Sequence, residues 1–260
     1  MTGSAGPKAP DSVADEPNAP EGQPNPTDGA SRTGIAALSA EIVECRRCPR
    51  LVAWREAVAE NPPRRYAGQE YWARPVPGFG DPAARVLIVG LAPAANGGNR
   101  TGRVFTGDRS GDFLFAALWR TGFANQPTSV SRDDGLALNA AYITAVNRCA
   151  PPGNAPTPQE RETCLPFLVR ELALLRDVRV IVALGAFGWD GALRALEAAA
   201  VDLPRPRPRF GHGAEAAIGP YALLGVFHPS QQNTFTGRLT EPMLDAVLGR
   251  ARAIAGLEPA

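Results

Sequence analysis

Lysine is almost missing from this chain of 260 residues: Lys8 is the only one, and every other cation is an arginine. Histidine occurs only at His212 and His228, and cysteine only at Cys45, Cys48, Cys149 and Cys164. No apolar run reaches the length of a membrane span, and the N-terminus lacks the charged and apolar regions of a signal peptide. The chain is therefore expected to be cytoplasmic, with no membrane partner. In that compartment four thiols are expected to bind metal rather than pair as disulfides. The phosphate-binding pattern G-x-x-x-x-G-K-[ST] is absent, and 78-GFGDPA-83 fails as a dinucleotide fingerprint because it precedes an apolar run instead of following one. There is no internal repeat.

Large apolar side chains are lacking from residues 1–33, which are dominated by Pro, Gly, Ala, Asp and Ser. Such a segment cannot bury enough surface to offset its ordering entropy, so 1–33 is expected to be a disordered tail and 34–260 a single catalytic-sized domain. The tail holds two cations against five acids, a net of −3 within a whole-chain charge of +1, which leaves +4 on the domain. Arginine grips phosphate through a bidentate fork. A GC-rich genome gives the same overall bias, so functional weight rests on loop arginines: Arg205, Arg207 and Arg209 in 204-PRPRPR-209, and Arg238.

Four apolar runs stand out, 85-RVLIVGL-91, 141-AYITAVN-147, 179-RVIVALG-185 and 222-ALLGVFH-228, each followed by loop chemistry and alternating with helix-like segments. This alternation predicts an α/β fold with a parallel sheet covered on both faces. The first intervening helix is expected to open near Ser110, bury Phe113, Leu114, Ala117 and Leu118, and close at Gly122. A second spans 158–177 from Pro158, and two more cover 186–199 and 240–255. Ligands of such sheets bind beyond the carboxyl ends of the strands, so the segments to weigh are 90-GLAPAANGGNRTGRVFTGDRSG-111, 147-NRCAPPGNAP-156 and 228-HPSQQNTFTGRLT-240.

The loop from Gly90 is glycine-rich, so its backbone can approach a ligand closely. Asp108 is its only carboxylate before the helix start. It suits orientation of a water, and equally a helix cap. Phe105 reads as a core residue or as a platform for stacking. His228 stands where an apolar run gives way to Pro and three polar side chains, a place open to a ligand. Cys45 and Cys48 form a C-x2-C pair, while 14 residues separate Cys149 from Cys164. Structural zinc usually draws on two tight pairs, and a cluster held by four thiolates accommodates a split second pair. The plainer reading makes Cys149 and Cys164 ordinary buried thiols, and spacing alone does not choose iron over zinc.

Taken together, GLAPAANGGNRTGRVFTGD, HPSQQNTFTGRLT, 144-TAVNRCAPP-152 and the cysteine order resemble the fifth family of the uracil-DNA glycosylase superfamily, over about 35–255. The resemblance implies a three-layer α/β/α sandwich around a four-stranded parallel sheet, and a 4Fe-4S cluster on Cys45, Cys48, Cys149 and Cys164. It implies an enzyme, expected to be monomeric, that binds double-stranded DNA and flips uracil, or another deaminated base such as hypoxanthine, into a pocket for hydrolytic removal. Phe105 would stack on the base; Gly90, Leu91, Ala92 and Ala94, with Asn147, would hydrogen-bond or line it. His228 would stabilise negative charge on the departing base, and Ser230, Gln232, Asn233 and Arg238 would contact DNA in the segment that wedges into the duplex. Other families of the superfamily place Asp, Asn or Glu where this chain has Leu91, Ala92 and Pro93, which leaves Asp108 as the substitute for positioning water. Two other readings compete: a non-catalytic nucleic-acid-binding module with structural zinc, and a family-four glycosylase, against which the apolar GLAPA argues.

Overall fold

The computed structural model describes residues 1–3 and 26–258. Among these residues one mixed sheet runs in the order β1-β3-β2-β4-β6-β5, where β1 is Phe79–Gly80, β2 Val86–Gly90, β3 Ala141–Ala145, β4 Val180–Leu184, β5 Glu215–Ile218 and β6 Tyr221–Val226. The helices are α1 Pro26–Val43, α2 Pro49–Glu60, the short α3 Gly98–Thr101, α4 Arg109–Arg120, α5 Pro158–Leu174, α6 Gly185–Ala198, the short α7 Gln231–Phe235 and α8 Glu241–Ile254.

The four inner strands, β3-β2-β4-β6, are parallel, as the apolar runs predict. Both faces of these strands are covered, which is why they read as continuous Val, Ile and Leu. Val86, Ile88, Val180, Val182, Leu224 and Val226 pack with Leu114, Phe115 and Leu118 of α4 and Leu244 and Leu248 of α8. Leu87, Val89, Ile181, Ala183 and Leu223 face Leu168 and Leu172 of α5 and Leu193 and Leu196 of α6. The result is the expected three-layer α/β/α sandwich.

The sheet is wider than the four strands expected. β1 and β5 add one short antiparallel strand to each edge. β1 is two residues long, and β5 joins β6 through a two-residue loop at Gly219-Pro220, with Gly219 at φ +53°. Neither edge strand buries two faces, so neither carries a strong apolar signal, and both shorten the exposed edge of the sheet.

The disorder expected of the tail falls, over 4–25, outside the described residues. Residues 26–33 depart from that expectation, since they open α1. The physical reason lies further along: Ile35, Leu38 and Ile42 form a helical stripe, with Ile35 packed in the core beside Leu168 and Leu172 and the other two against Phe167. Once that stripe is fixed, extending the helix backward adds one backbone bond per residue without a new nucleus.

Chain connectivity reverses beside β2. The link from β2 goes to β3 on one side, and the link from β4 goes to β6 on the other, so the carboxyl ends of β2 and β4 frame a crevice that no crossover fills.

Candidate active site

A cleft of about 610 Å³ occupies that crevice. Its wall is drawn from every loop at the carboxyl edge: Leu91, Ala92, Ala94 and Phe105 after β2, Gly153 and Asn154 after β3, Leu184 to Phe187 at the end of β4, and His228 after β6. Leu91, Ala92, Ala94, Phe105, Asp108 and His228 were all expected here, and the structure gathers them on one cavity.

Phe105 is a core residue and a cleft wall at once. It is buried, its ring lies over Gly90, and its backbone takes φ +51°, the left-handed region that bulky residues avoid. Strain of this kind persists only where neighbours over-determine it. Here they do: a Cβ on Gly90 would come within 2.7 Å of the Phe105 ring, and one on Gly111 within 1.8 Å of its carbonyl oxygen. Gly90 thus supports the ring from beneath instead of lining the cavity. The ring centroid of Phe105 lies 6.0 Å from that of His228, so one aromatic wall joins the two loops.

Asp108 takes the cap role open to it in the sequence, and it takes it at the wall of the cleft. It is the N-cap of α4, its Oδ1 accepting from the Gly111 amide at 3.0 Å, and its side chain lines the cleft. Burial raises its pKa above the ordinary carboxylate value, against the lowering effect of the amides of Gly111 and Ser110. The second oxygen faces Gly97, where an added Cβ would come within 1.9 Å of Oδ2. A residue larger than glycine there would have to push the carboxylate off a position already fixed by the cap.

His228 is partly exposed to the cleft yet closely surrounded, and burial lowers its pKa to about 4. At neutral pH it is an uncharged imidazole with one N–H to donate. Its backbone carbonyl accepts from Asn233 Nδ2 at 2.8 Å, and Gly185 packs on its Cβ, so α7 and the end of β4 hold it from two sides. Ser230, Gln231 and Gln232 continue the wall. Asn233 serves His228 rather than the cavity, and Arg238 lays its guanidinium 4.6 Å over the Phe227 ring. Phe235, at the end of α7, is 70% exposed, an apolar ring left in solvent beside the cleft.

Two expectations are corrected. Asn147 is not among the residues that line the cleft: it is wholly buried, Nδ2 donates to the Glu160 carbonyl at 3.1 Å and ties the end of β3 to α5, and Oδ1 is buried with no hydrogen-bond partner. Arg207, expected to be free for phosphate, pairs with Glu197 at 3.2 Å and Asp190 at 3.6 Å, and the 204–209 run contributes nothing to the cleft. Sequence reasoning missed Asn154 and Phe187. Phe187 lies in the first turn of α6, which follows β4 directly, so the strand-end rule, applied to all four runs instead of three, points to it.

The four cysteines line a second, smaller cavity beneath the β3 end of the sheet, together with Leu51, Val52, Arg148 and Phe167. Cys45 and Cys48 sit in the turn between α1 and α2, not within a helix, Cys149 follows β3, and Cys164 lies in α5. All four are free thiols. Among the described residues no three His, Cys, Asp or Glu side chains are arranged to grip a single metal ion. The donor chemistry nevertheless fits a four-thiolate group. Cys149 Sγ accepts from Arg55 Nη1 at 3.0 Å and Cys164 Sγ from the Arg148 amide at 3.3 Å, hydrogen bonds that favour thiolate. Without a metal, burial pushes Cys149 up to about 11 and Cys164 up to about 12; a bound cation reverses that balance and deprotonates a thiol outright.

Hydrogen bonds through Asn99 link the helix beside the cysteine cavity to the loop of the cleft. Asn99, buried in α3, donates from Nδ2 to the Arg55 carbonyl at 3.2 Å and to the Ala95 carbonyl at 3.4 Å, and its amide bonds to the Ala94 carbonyl. The arm that carries Cys45 and Cys48 is thereby pinned to the loop that forms the floor of the cleft.

Fold and cleft define an α/β protein whose ligand site lies at the switch point of a parallel sheet. The family model of the uracil DNA glycosylase superfamily matches residues 77–252. A type-5 uracil-DNA glycosylase of Mycobacterium bovis is 57% identical over 226 residues, which cover 86% of this chain and 83% of that protein. Another type-5 enzyme, from Thermus thermophilus, is 51% identical over 83% of this chain and 96% of its own length. A type-4 uracil-DNA glycosylase of Pyrobaculum aerophilum is 32% identical over 62% of this chain and 74% of its own. The chain belongs to the uracil DNA glycosylase superfamily, as a glycosylase on its type-5 branch.

Proposed function

We propose that this protein flips uracil, and also other deaminated bases such as hypoxanthine, out of duplex DNA into the cleft beside Phe105 and hydrolyses the bond between base and sugar. The observation that carries the reading is the convergence of Phe105, Asp108 and His228 from separate loops on one cavity. Flipping is required because a base inside the stack hides its glycosidic bond. Phe105 offers its face to the extruded base. Phe235 and the polar residues of α7 stand where a wedge would fill the vacated space, the exposed ring being suited to insertion between bases.

As the glycosidic bond stretches, the base gains negative charge and the sugar becomes an oxocarbenium-like cation. His228 donates an N–H to the base, and being neutral it arrives without a charge that the site would have to bury. Asp108 opposes the cationic sugar and orients the water that adds to C1′, which leaves free base and abasic DNA. Leu91 and Ala92, where other families carry a polar residue, give the floor no strong hydrogen-bonding selector, and this supports acceptance of more than one base. Cys45, Cys48, Cys149 and Cys164 would hold a 4Fe-4S cluster, whose contribution is a cross-link between the α1–α2 turn and the β3–α5 segment.

The test is excision from duplexes that carry a single uracil, hypoxanthine or xanthine, scored by alkaline cleavage of the abasic product. Cleavage at uracil and hypoxanthine is expected, and cleavage at uracil alone would remove the broader range.

Two further outcomes follow from the site. Gly97→Ala should displace the Asp108 carboxylate and slow single-turnover excision about as much as Asp108→Ala does, roughly tenfold. A Gly97→Ala enzyme at parent rate would show that this oxygen does not matter. Uracil is a comparatively good leaving group, so both changes should be milder than loss of His228.

The pH profile follows from His228. Its folded pKa of about 4 lies below its ordinary value of 6.5, so between these values the unfolded chain binds a proton that the folded chain refuses. The stability contributed by a neutral His228 is therefore complete above pH 6.5 and lost as pH falls toward 4. Excision should be insensitive to pH through 6.5 and decline in acid, where His228 gains its proton near 4 and Asp108, its pKa raised by burial, loses its negative charge. An inflection near 6.5 that disappears in His228→Gln would contradict the neutral imidazole.

A further inference from the structure

Two arginines with almost no solvent exposure bracket the cysteine cavity, and they are balanced differently. Arg148 is neutralised by Glu171, with Nη2 to Oε2 at 2.5 Å and Nη1 to Oε1 at 3.0 Å, and Thr144 closes the pair. Arg55, 1% exposed, has no such partner. Its Nη1 donates to Cys149 Sγ at 3.0 Å and to the Cys45 carbonyl at 3.4 Å, and its Nε is buried with no acceptor. No carboxylate lies within ion-pairing distance among the described residues. Glu56, one residue along α2, is taken by Arg46 at 2.6 Å.

A guanidinium stays protonated in proteins, and a buried charge without a counter-charge is strongly disfavoured. Something anionic must therefore face Arg55, and among the described residues the groups placed to supply that charge are the sulfurs. We propose that Arg55 is the counter-cation of the four-thiol centre: it offsets the negative charge of metal-bound thiolates, retains the metal, and raises the reduction potential of the cluster that the centre is read to hold. The inference rests on that cluster reading for the potential alone. Metal retention applies to any cation the thiolates bind.

The physical basis is common to both effects. Net charge and hydrogen bonds to the sulfurs are among the factors that set the potential of a thiolate-ligated cluster. A buried hydrogen bond from a full positive charge lowers the electron density that the sulfur returns to the metal. Its removal makes the centre more negative and harder to reduce. Outer groups of this kind act through the ligands and not on the substrate. Arg55 is therefore a positioning residue.

The experiment compares the purified parent with Arg55→Lys, Arg55→Gln and Arg55→Met. Three quantities are read: iron and acid-labile sulfide per chain, the rate of iron loss to a chelator, and the midpoint potential by spectroelectrochemistry. Arg55→Lys, which keeps the charge, should load fully and keep a potential near the parent's. Arg55→Gln, which keeps a donor but no charge, should lose iron several-fold faster and shift to a more negative potential, with Arg55→Met further in the same direction. If the neutral variants do not yield folded protein, Arg55→Lys carries the test through its own loading and potential, and iron loss as fast as in a cysteine variant would overturn the proposal. So would Arg55→Gln with the parent's retention and potential. A parent that contains zinc and no iron overturns the cluster reading instead, and the same chelator comparison made on zinc then judges Arg55.

Discussion

His228→Ala is expected to lower the single-turnover rate of uracil excision by about 10²–10³, the usual cost of removing one donor aimed at charge that develops in the transition state. Affinity for uracil-containing duplex should change little, because the base is uncharged until the bond breaks and the donor is worth most afterwards. The geometry supports this division. His228 is fixed by Asn233 through its carbonyl and by Gly185 against its Cβ, so its position does not depend on substrate. Substitution removes the imidazole and keeps the backbone carbonyl to which Asn233 of α7 donates. A variant that excised uracil at the parent rate, or that lost only affinity, would show that the assigned role is wrong. His228→Gln, which retains an N–H, should recover part of the rate.

Cys48→Ala should have the largest effect on the folded state. Cys48 is the N-cap of α2 and makes no side-chain hydrogen bond there, so its cap position alone does not account for a cysteine. As one of four thiolates it would close the link between α2, the β3 end and α5. Around that link lie the buried Arg55, the Arg50–Glu160 pair at 2.7 Å that ties α2 to the capping box of α5, and the Asn99 bridge to the cleft. Without a metal on the thiolates Arg55 would lie buried opposite neutral thiols, a cost of about 3–5 kcal/mol, which is a large part of the stability of a typical domain. Loss of visible absorption and of soluble yield together is the expected result, read by absorbance and by thermal unfolding. A colourless variant with parent stability and activity would contradict a structural role for the centre. Through Asn99, chelation of the parent should also loosen the loop around Ala94 and Ala95, visible as faster amide exchange there.

The inner sheet was legible in the sequence because burial on both faces leaves an uninterrupted apolar signature at 86–90, 141–145, 180–184 and 221–226. The edge strands were not, since β5 pairs through backbone bonds and a turn at Gly219 while its side chains alternate into solvent. α1 began earlier than composition implied, because a stripe at Ile35, Leu38 and Ile42 extends a helix backward into a stretch of sequence poor in large apolar residues. At the site, Leu91, Ala92, Ala94, Phe105, Asp108 and His228 follow from one rule about strand ends together with the resemblance of their loops. Asn147 obeys the same rule and still lies off the cleft wall, its Nδ2 taken by the Glu160 carbonyl in α5. Whether a strand-end side chain turns toward ligand or toward the neighbouring helix is decided by packing across the layers, which a single sequence does not display. Arg55 was hidden for a similar reason: nothing in PRLVAWREAVAE marks one arginine as buried and the other as solvated.

The most direct test of the central claim is the release of free base. Purified protein is incubated with a duplex that carries one uracil, and the products are separated by chromatography, with abasic sites counted on the same sample. Free uracil in equal amount to abasic sites, with the strands otherwise intact, is the predicted result. A protein that binds this duplex and releases no uracil would contradict it.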